Sequence, residues 1–201
     1  MIFFKVSAKI LLIFICIYAY GISICVAQDA FSSVRLSGTG HKQISNTDFA
    51  RSWSPESGFG LEISTPYYKG SLEAGARIFR FDAFEFENSG FWSRYVFAGW
   101  FYRYAASDQV FLVPGIRGGI NFMLHDEDKV YGGEYNFKRD ESEFAYELLL
   151  RLEYDITPAW GFYTSVSFHR TMLNIPIDTL YGSIGVTARI ESPEWLKRVL
   201  K

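Results

Sequence analysis

The chain has 201 residues, a formal net charge of -2, 49% hydrophobic and 18% aromatic residues, and a mean hydropathy of +0.03. It carries no basic block, which removes nucleic acid from the partners to consider. Cys16 and Cys25 are its two cysteines, and both precede Gln28, so the remainder has no thiol for a disulfide, a thiolate nucleophile or a cysteine metal site.

Lys5 and Lys9 lead into an apolar run from Ile10 to about Tyr20, and Cys25-Val26-Ala27 supplies small residues for signal-peptidase cleavage. This pattern predicts a cleaved signal peptide over 1–27 and a mature chain from Gln28. The run is too short to span a membrane and has no stop-transfer flank. The 28–190 segment then reads as one domain, with a tail over 191–201.

Eight alternating segments follow in order. The first, around Ser33 to Thr39, sets Val34 and Leu36 against Arg35 and Ser37. The second sets Phe59, Leu61 and Ile63 against Gly60, Glu62 and Ser64, and the third sets Leu72, Ala74, Ala76 and Ile78 against Glu73, Gly75 and Arg77. The fourth, Phe91 to Tyr104, is aromatic on both faces and leaves its register open. The fifth, Val110 to Phe122, holds Pro114 beside Gly115, Gly118 and Gly119, which predicts a bulge or bend. The sixth is the cleanest, with Phe144, Tyr146, Leu148, Leu150, Leu152 and Tyr154 against Glu143, Ala145, Glu147, Leu149, Arg151 and Glu153. In the seventh, Trp160, Phe162, Val166 and Phe168 oppose Gly161, Tyr163, Ser165, Ser167 and His169. In the eighth, Leu180, Ile184, Val186, Ala188 and Ile190 oppose Tyr181, Ser183, Gly185, Thr187 and Arg189.

The connections alternate in length. Thr65–Gly70, Ala105–Asp108 and Asp155–Ala159 are tight, whereas His41–Glu56, Asp82–Gly90, Leu124–Ser142 and Thr171–Thr179 are long and polar. Transmembrane barrels have this rhythm, with short periplasmic turns and long outer loops. Aromatic residues near strand ends predict two interfacial girdles: Tyr67, Tyr68, Tyr102, Tyr104 and Trp160 below, Phe79, Phe81, Phe91, Trp92 and Phe168 above. A soluble lipocalin-like barrel is the competing architecture. It would have to pack the large apolar face inside eight strands, where there is too little room. The expected fold is therefore all-β: an eight-stranded antiparallel up-and-down transmembrane β-barrel with a short C-terminal interfacial helix.

With the apolar face outward, Arg35, Arg77, Arg117, Arg151 and Arg189 share the lumen with Glu62, Glu73, Glu147 and Glu153. Near charge balance predicts a cross-linked plug instead of a pore.

On these residues the chain resembles the small outer-membrane β-barrel proteins of the OmpA transmembrane-domain and OmpX kind, over about Phe31 to Ile190. Ser183, Gly185, Ala188 and Ile190 resemble the class's last-strand assembly signal, which implies insertion by the barrel assembly machinery. The resemblance implies outer-membrane lipid and lipopolysaccharide as surroundings. Many members stop at the final strand, whereas Glu191–Lys201 continue here. Ser192 and Pro193 can start a short helix with Trp195, Leu196, Val199 and Leu200 on one face, a frayed tail being the alternative.

Candidate chemistry is sparse. His41, His125 and His169 all map to the long-loop end, in no ligand spacing, so solvated loop histidines are expected and no metal site or cofactor. The run His125-Asp126-Glu127-Asp128 offers carboxylates to divalent cations or merely to water. His169-Arg170-Thr171-Met172-Leu173-Asn174 loosely resembles the His-x-Ser-Asn run of an outer-membrane lipid A deacylase. Thr171 replaces the serine, Asn174 is displaced, and Asp178 is the candidate acid. In the third long loop, Val130, Tyr131, Gly132, Gly133, Glu134, Tyr135, Asn136 and Phe137 predict a hairpin about a Gly-Gly turn. Its edge could recruit a partner by strand addition; a floppy acidic loop is the alternative. The expected role is non-enzymatic, structural or partner-binding through outer loops or the C-terminal tail. A hydrolase using His169 and a subunit of an envelope secretion or assembly complex are the other two readings.

Overall fold

The computed structural model describes residues 30–44, 53–83, 90–126, 130–131, 135–136, 140–173 and 176–193. Eight long strands form the wall: β1 (Ser33–Gln43), β2 (Gly58–Tyr67), β3 (Gly70–Ala83), β4 (Phe91–Phe101), β5 (Val110–His125), β6 (Asp140–Asp155), β7 (Trp160–Thr171) and β8 (Ile177–Glu191). Each pairs antiparallel with its neighbours in sequence, and β8 pairs with β1 from Ser33 opposite Glu191 to Gln43 opposite Tyr181. The sheet is a closed barrel and has no helix among the described residues.

One row of paired residues defines its geometry. Trp160 faces Ala188, which leads in turn to Leu36, Ile63, Ala74, Ala98, Gly118, Tyr146 and finally Arg170. The row leaves β7 at Trp160 and returns to it at Arg170, a shear of ten residues. With strand rise and spacing at their usual values this sets a tilt of about 40°. The bore is correspondingly narrow.

Short connections close one end. Tyr67 pairs with Gly70 across Tyr68 and Lys69, and Tyr68 has φ 55, as hairpin twist demands at the first central position. The Ser107 hydroxyl accepts from the amides of Gln109 and Val110, and Thr157 does the same for Ala159 and Trp160.

Pro114 does not make the expected bulge. Register runs unbroken through it, with Leu150 opposite on β6 and Tyr102 donating to its carbonyl on the other side. Its missing N–H instead removes one ladder bond, and β4 lapses at Tyr102 before pairing resumes at Tyr104–Ala105. The extra residue lies elsewhere. A short strand, Trp53–Pro55, pairs with the top of β3, but Pro55 faces Phe81 while Phe59 faces Ile78. Residues 56–58 thus stand opposite two residues of β3, a bulge where the first long loop enters the wall.

The alternation settles the faces. Leu36, Leu61, Ile63, Val96, Ile116, Leu148, Leu150, Leu152, Val166 and Ile184 point outward and are exposed. On β4, Phe91, Ser93, Tyr95, Phe97 and Phe101 point inward and Trp92, Arg94, Val96, Ala98 and Trp100 outward, which fixes the register left open above. Three expected girdle residues are misplaced by the same rule: Phe79, Phe81 and Phe91 are buried in the lumen.

Candidate functional site

The lumen is filled in three tiers. At the short-turn end Arg35 and Arg189 are directly opposite on β1 and β8, a like-charge pair reconciled by carboxylates from β6. Glu153 accepts from Arg35 at 3.0 Å and from Arg103 at 2.9 Å, and Asp155 accepts from Arg103 at 2.9 Å and Arg189 at 3.0 Å. Arg103 and Asp155 were absent from the predicted network because both border turns. Inward parity, carried on from Phe101 and Glu153, would have found them.

In the middle tier two arginines and two glutamates form a lattice. Arg117 donates to Glu62 at 2.7 Å and to Glu73, while Arg151 reaches Glu62 at 2.9 Å and Glu73 at 3.1 Å. The Tyr163 hydroxyl donates to Glu62 at 2.9 Å. Phe97 lies 4.3 Å from the Arg117 guanidinium and Tyr163 4.2 Å from that of Arg151, so inward aromatic residues cover the faces that the carboxylates leave open. All four charged residues are buried, and such burial is tolerable only because each is paired.

The upper tier turns on Glu147, buried between Arg77 at 3.0 Å and Arg117 at 3.6 Å. Above it Asn121 accepts from Ser93 at 2.7 Å and donates to Thr171 at 3.3 Å. Phe79, Phe81, Phe91, Met123 and Tyr181 close the top, with Trp53 and Leu173 packed against them. Two small hollows lie within this filling, about 20 Å³ beneath the cap and about 10 Å³ beside Arg35 and Arg189, each with room for about one water.

Two histidines expected in solvated loops are part of this filling. His41 lies on β1, because β1 runs four residues past Thr39, and its ring bridges Thr39 at 2.8 Å and Ser183 at 2.6 Å. His169 is buried under Tyr95. The third, His125, is half-buried at the end of β5 against Phe91. Among the described residues no cluster of metal-ligating side chains forms.

The proposed hydrolytic trio does not assemble. His169 Nε2 does meet Thr171 Oγ1 at 3.2 Å, and Glu147 lies 3.6 Å from Nδ1. Arg77, which can only donate, points at Nδ1 from 3.2 Å. Nδ1 thus faces Arg77 and Glu147 together, and the expected acid, Asp178, is not among the ring's neighbours. Asp178 points outward and is held by Arg170 through two bonds of 2.5 Å.

Of the residues matched to the assembly signal, Ser183 and Gly185 line the lumen and Ala188 and Ile190 face outward. Gly185 is required there, since a Cβ would lie 2.6 Å from the Tyr163 ring. In the third long loop Val130–Tyr131 pairs with Tyr135–Asn136, whereas Gly132, Gly133, Glu134 and Phe137 lie outside the described residues. Asp126, from the acidic run, is bound by Arg80 at 2.7 and 2.5 Å. The leader over 1–27 and the tail from Glu194 lie outside the described residues; Ser192 continues the seam by donating to Ser32 at 3.1 Å.

No family model and no curated protein matches the sequence. Solved structures do match. The fold aligns with Neisserial surface protein A at a TM-score of 0.51 and 14% identity, covering 82% of this chain and 100% of that one. It aligns with the outer membrane protein OprG from Pseudomonas aeruginosa at 0.53 and 12% identity, covering 81% and 98%. The architecture of this chain is that of the small eight-stranded outer-membrane β-barrels.

Proposed function

We propose that the protein is an integral barrel of a Gram-negative outer membrane, non-enzymatic and sealed, acting through what it presents beyond the bilayer. The observation that carries this is the opposite solvation of its two faces. Large apolar side chains are exposed around the whole wall, while arginine–carboxylate pairs fill the interior. A bilayer satisfies the first and a closed barrel the second. The short turns then face the periplasm and the long loops the cell exterior.

A sealed bore cannot act as a general pore, so the working surfaces are the loops, above all the one carrying the Val130–Tyr131 and Tyr135–Asn136 hairpin. Strand addition to that hairpin is the recognition mode it best fits. Reconstituted monomer in planar bilayers is expected to show no steady single-channel current; a stable large conductance overturns the sealed-lumen reading. Deleting 128–139 is expected to leave heat-modifiable gel mobility intact and to abolish binding to host or envelope surfaces. Unchanged binding would remove the loop from the account.

A further inference from the structure

The lipid-facing wall is not uniform. On β1 the outward positions run Leu36, Gly38, Gly40, Lys42. Gly38 sits between Leu61 of β2 and Val186 of β8, and Gly40 between Phe59 and Ile184. With no side chain on the intervening strand, three of those neighbours are far more exposed than the rest of the belt: Phe59 at 69%, Leu61 at 73% and Ile184 at 70%, against 46–49% for Leu148, Leu150 and Leu152. They are the walls of an apolar groove along β1. A Cβ built on Gly38 or Gly40 meets nothing within 4 Å, so the groove floor is open.

Lys42 stands at the long-loop end of this groove. Two other outward cations at that level are neutralised in place, Arg80 by Asp82 and Asp126, and Arg170 by Asp178. Lys42 has no hydrogen bond or ion pair among the described residues. Arg94 is similarly unpaired among the described residues, but its cross-strand neighbours are Ile78 and Phe122, and the side chain of Val96 stands next below it on the same strand, between it and the small residues Ala74, Ala98 and Gly118. An unneutralised cation directly above an apolar trough complements a molecule with an anionic head and a hydrocarbon tail.

We infer that the β1 groove is a lipid site: it seats one acyl chain of an anionic, phosphate-bearing lipid between Phe59–Leu61 and Ile184–Val186, with the phosphate on Lys42. The proposal rests on the membrane-embedded reading above and adds to it a particular place and headgroup. Charge accounts for the headgroup preference and the missing side chains for the location.

The protein is folded into phosphatidylcholine vesicles containing phosphatidylglycerol with a diazirine midway along one chain, and adducts are mapped by peptide after illumination. Adducts are expected to concentrate on Phe59, Leu61, Ile184 and Val186 relative to Leu148 and Leu150. Phosphatidylglycerol should label these about fivefold more than an equivalent phosphatidylcholine probe, the preference one lysine near a membrane surface confers. Lys42→Gln should erase the headgroup preference while Arg94→Gln preserves it. Gly38→Leu with Gly40→Leu should remove the local excess for both probes, and heat-modifiable mobility checks that each variant is folded. Even labelling around the wall, or a preference that survives Lys42→Gln, overturns the site while leaving the membrane reading intact. A folded protein that takes up no label anywhere overturns both.

Discussion

The inner and outer faces of the same strands are nearly complements of each other. Inside, every glycine of the middle tier is a necessity; outside, two glycines are simply gaps. A Cβ at Gly119 would lie 2.0 Å from the Val96 carbonyl oxygen, and one at Gly99 2.4 Å from that of Ile116, whereas Gly38 and Gly40 have free space. Charges divide in the same way: those within are locked to partners from other strands, and those without stand at the rim. The lumen is thus a specified structure, while the belt need only be apolar and tolerates irregularity.

The comparison breaks hardest at a lumen charge. Glu147→Ala strips Arg77 of its carboxylate, and a loss of about 3–5 kcal/mol is expected in urea titrations of vesicle-folded protein. A charge on the opposite face is the next largest effect: Leu150→Arg, on the lipid-facing side of β6, should cost about 2–4 kcal/mol by the same assay. Gly119→Ala is expected to cost about 1–3 kcal/mol by overpacking, while Gly40→Ala outside should be neutral or add up to about 1 kcal/mol. Equal costs for the two glycines would erase the distinction between specified and permissive faces.

The smallest effect belongs to the rim. Asp178→Asn, which breaks an exposed ion pair, should change stability by less than about 1 kcal/mol.

Strand count, order and the inward charges of β2, β3, β6 and β8 were legible in the sequence, because strict alternation of polar and large apolar residues survives there. β4 was not, for a physical reason: its lumen side consists of the aromatic residues that cover Arg77 and Arg117, and an aromatic face stacked on guanidinium has the composition of one facing lipid. The same ambiguity put Phe79, Phe81 and Phe91 in a girdle when they are the cap. β1 was cut short at Thr39 because Gly38 and Gly40 interrupt its apolar rhythm, and that error sent His41 into a loop. The histidine contacts depend on the shear of ten residues, which brings β3 and β7 together across the bore and which no local pattern encodes.

That shear has a bearing on how the barrel comes into being. Glu62 and Glu73 come from β2 and β3, their arginines from β5 and β6, and Arg35 and Arg189 from the two edges that meet last. A half-built sheet would hold these ions naked beside hydrocarbon. Nascent strands therefore gain little by stopping short: curling the sheet brings the carboxylates of β2 and β3 to the arginines of β5 and β6, and zipping the final edge brings Arg35 and Arg189 to Glu153 and Asp155. A protein so organised has a strong incentive to finish and no stable halfway form.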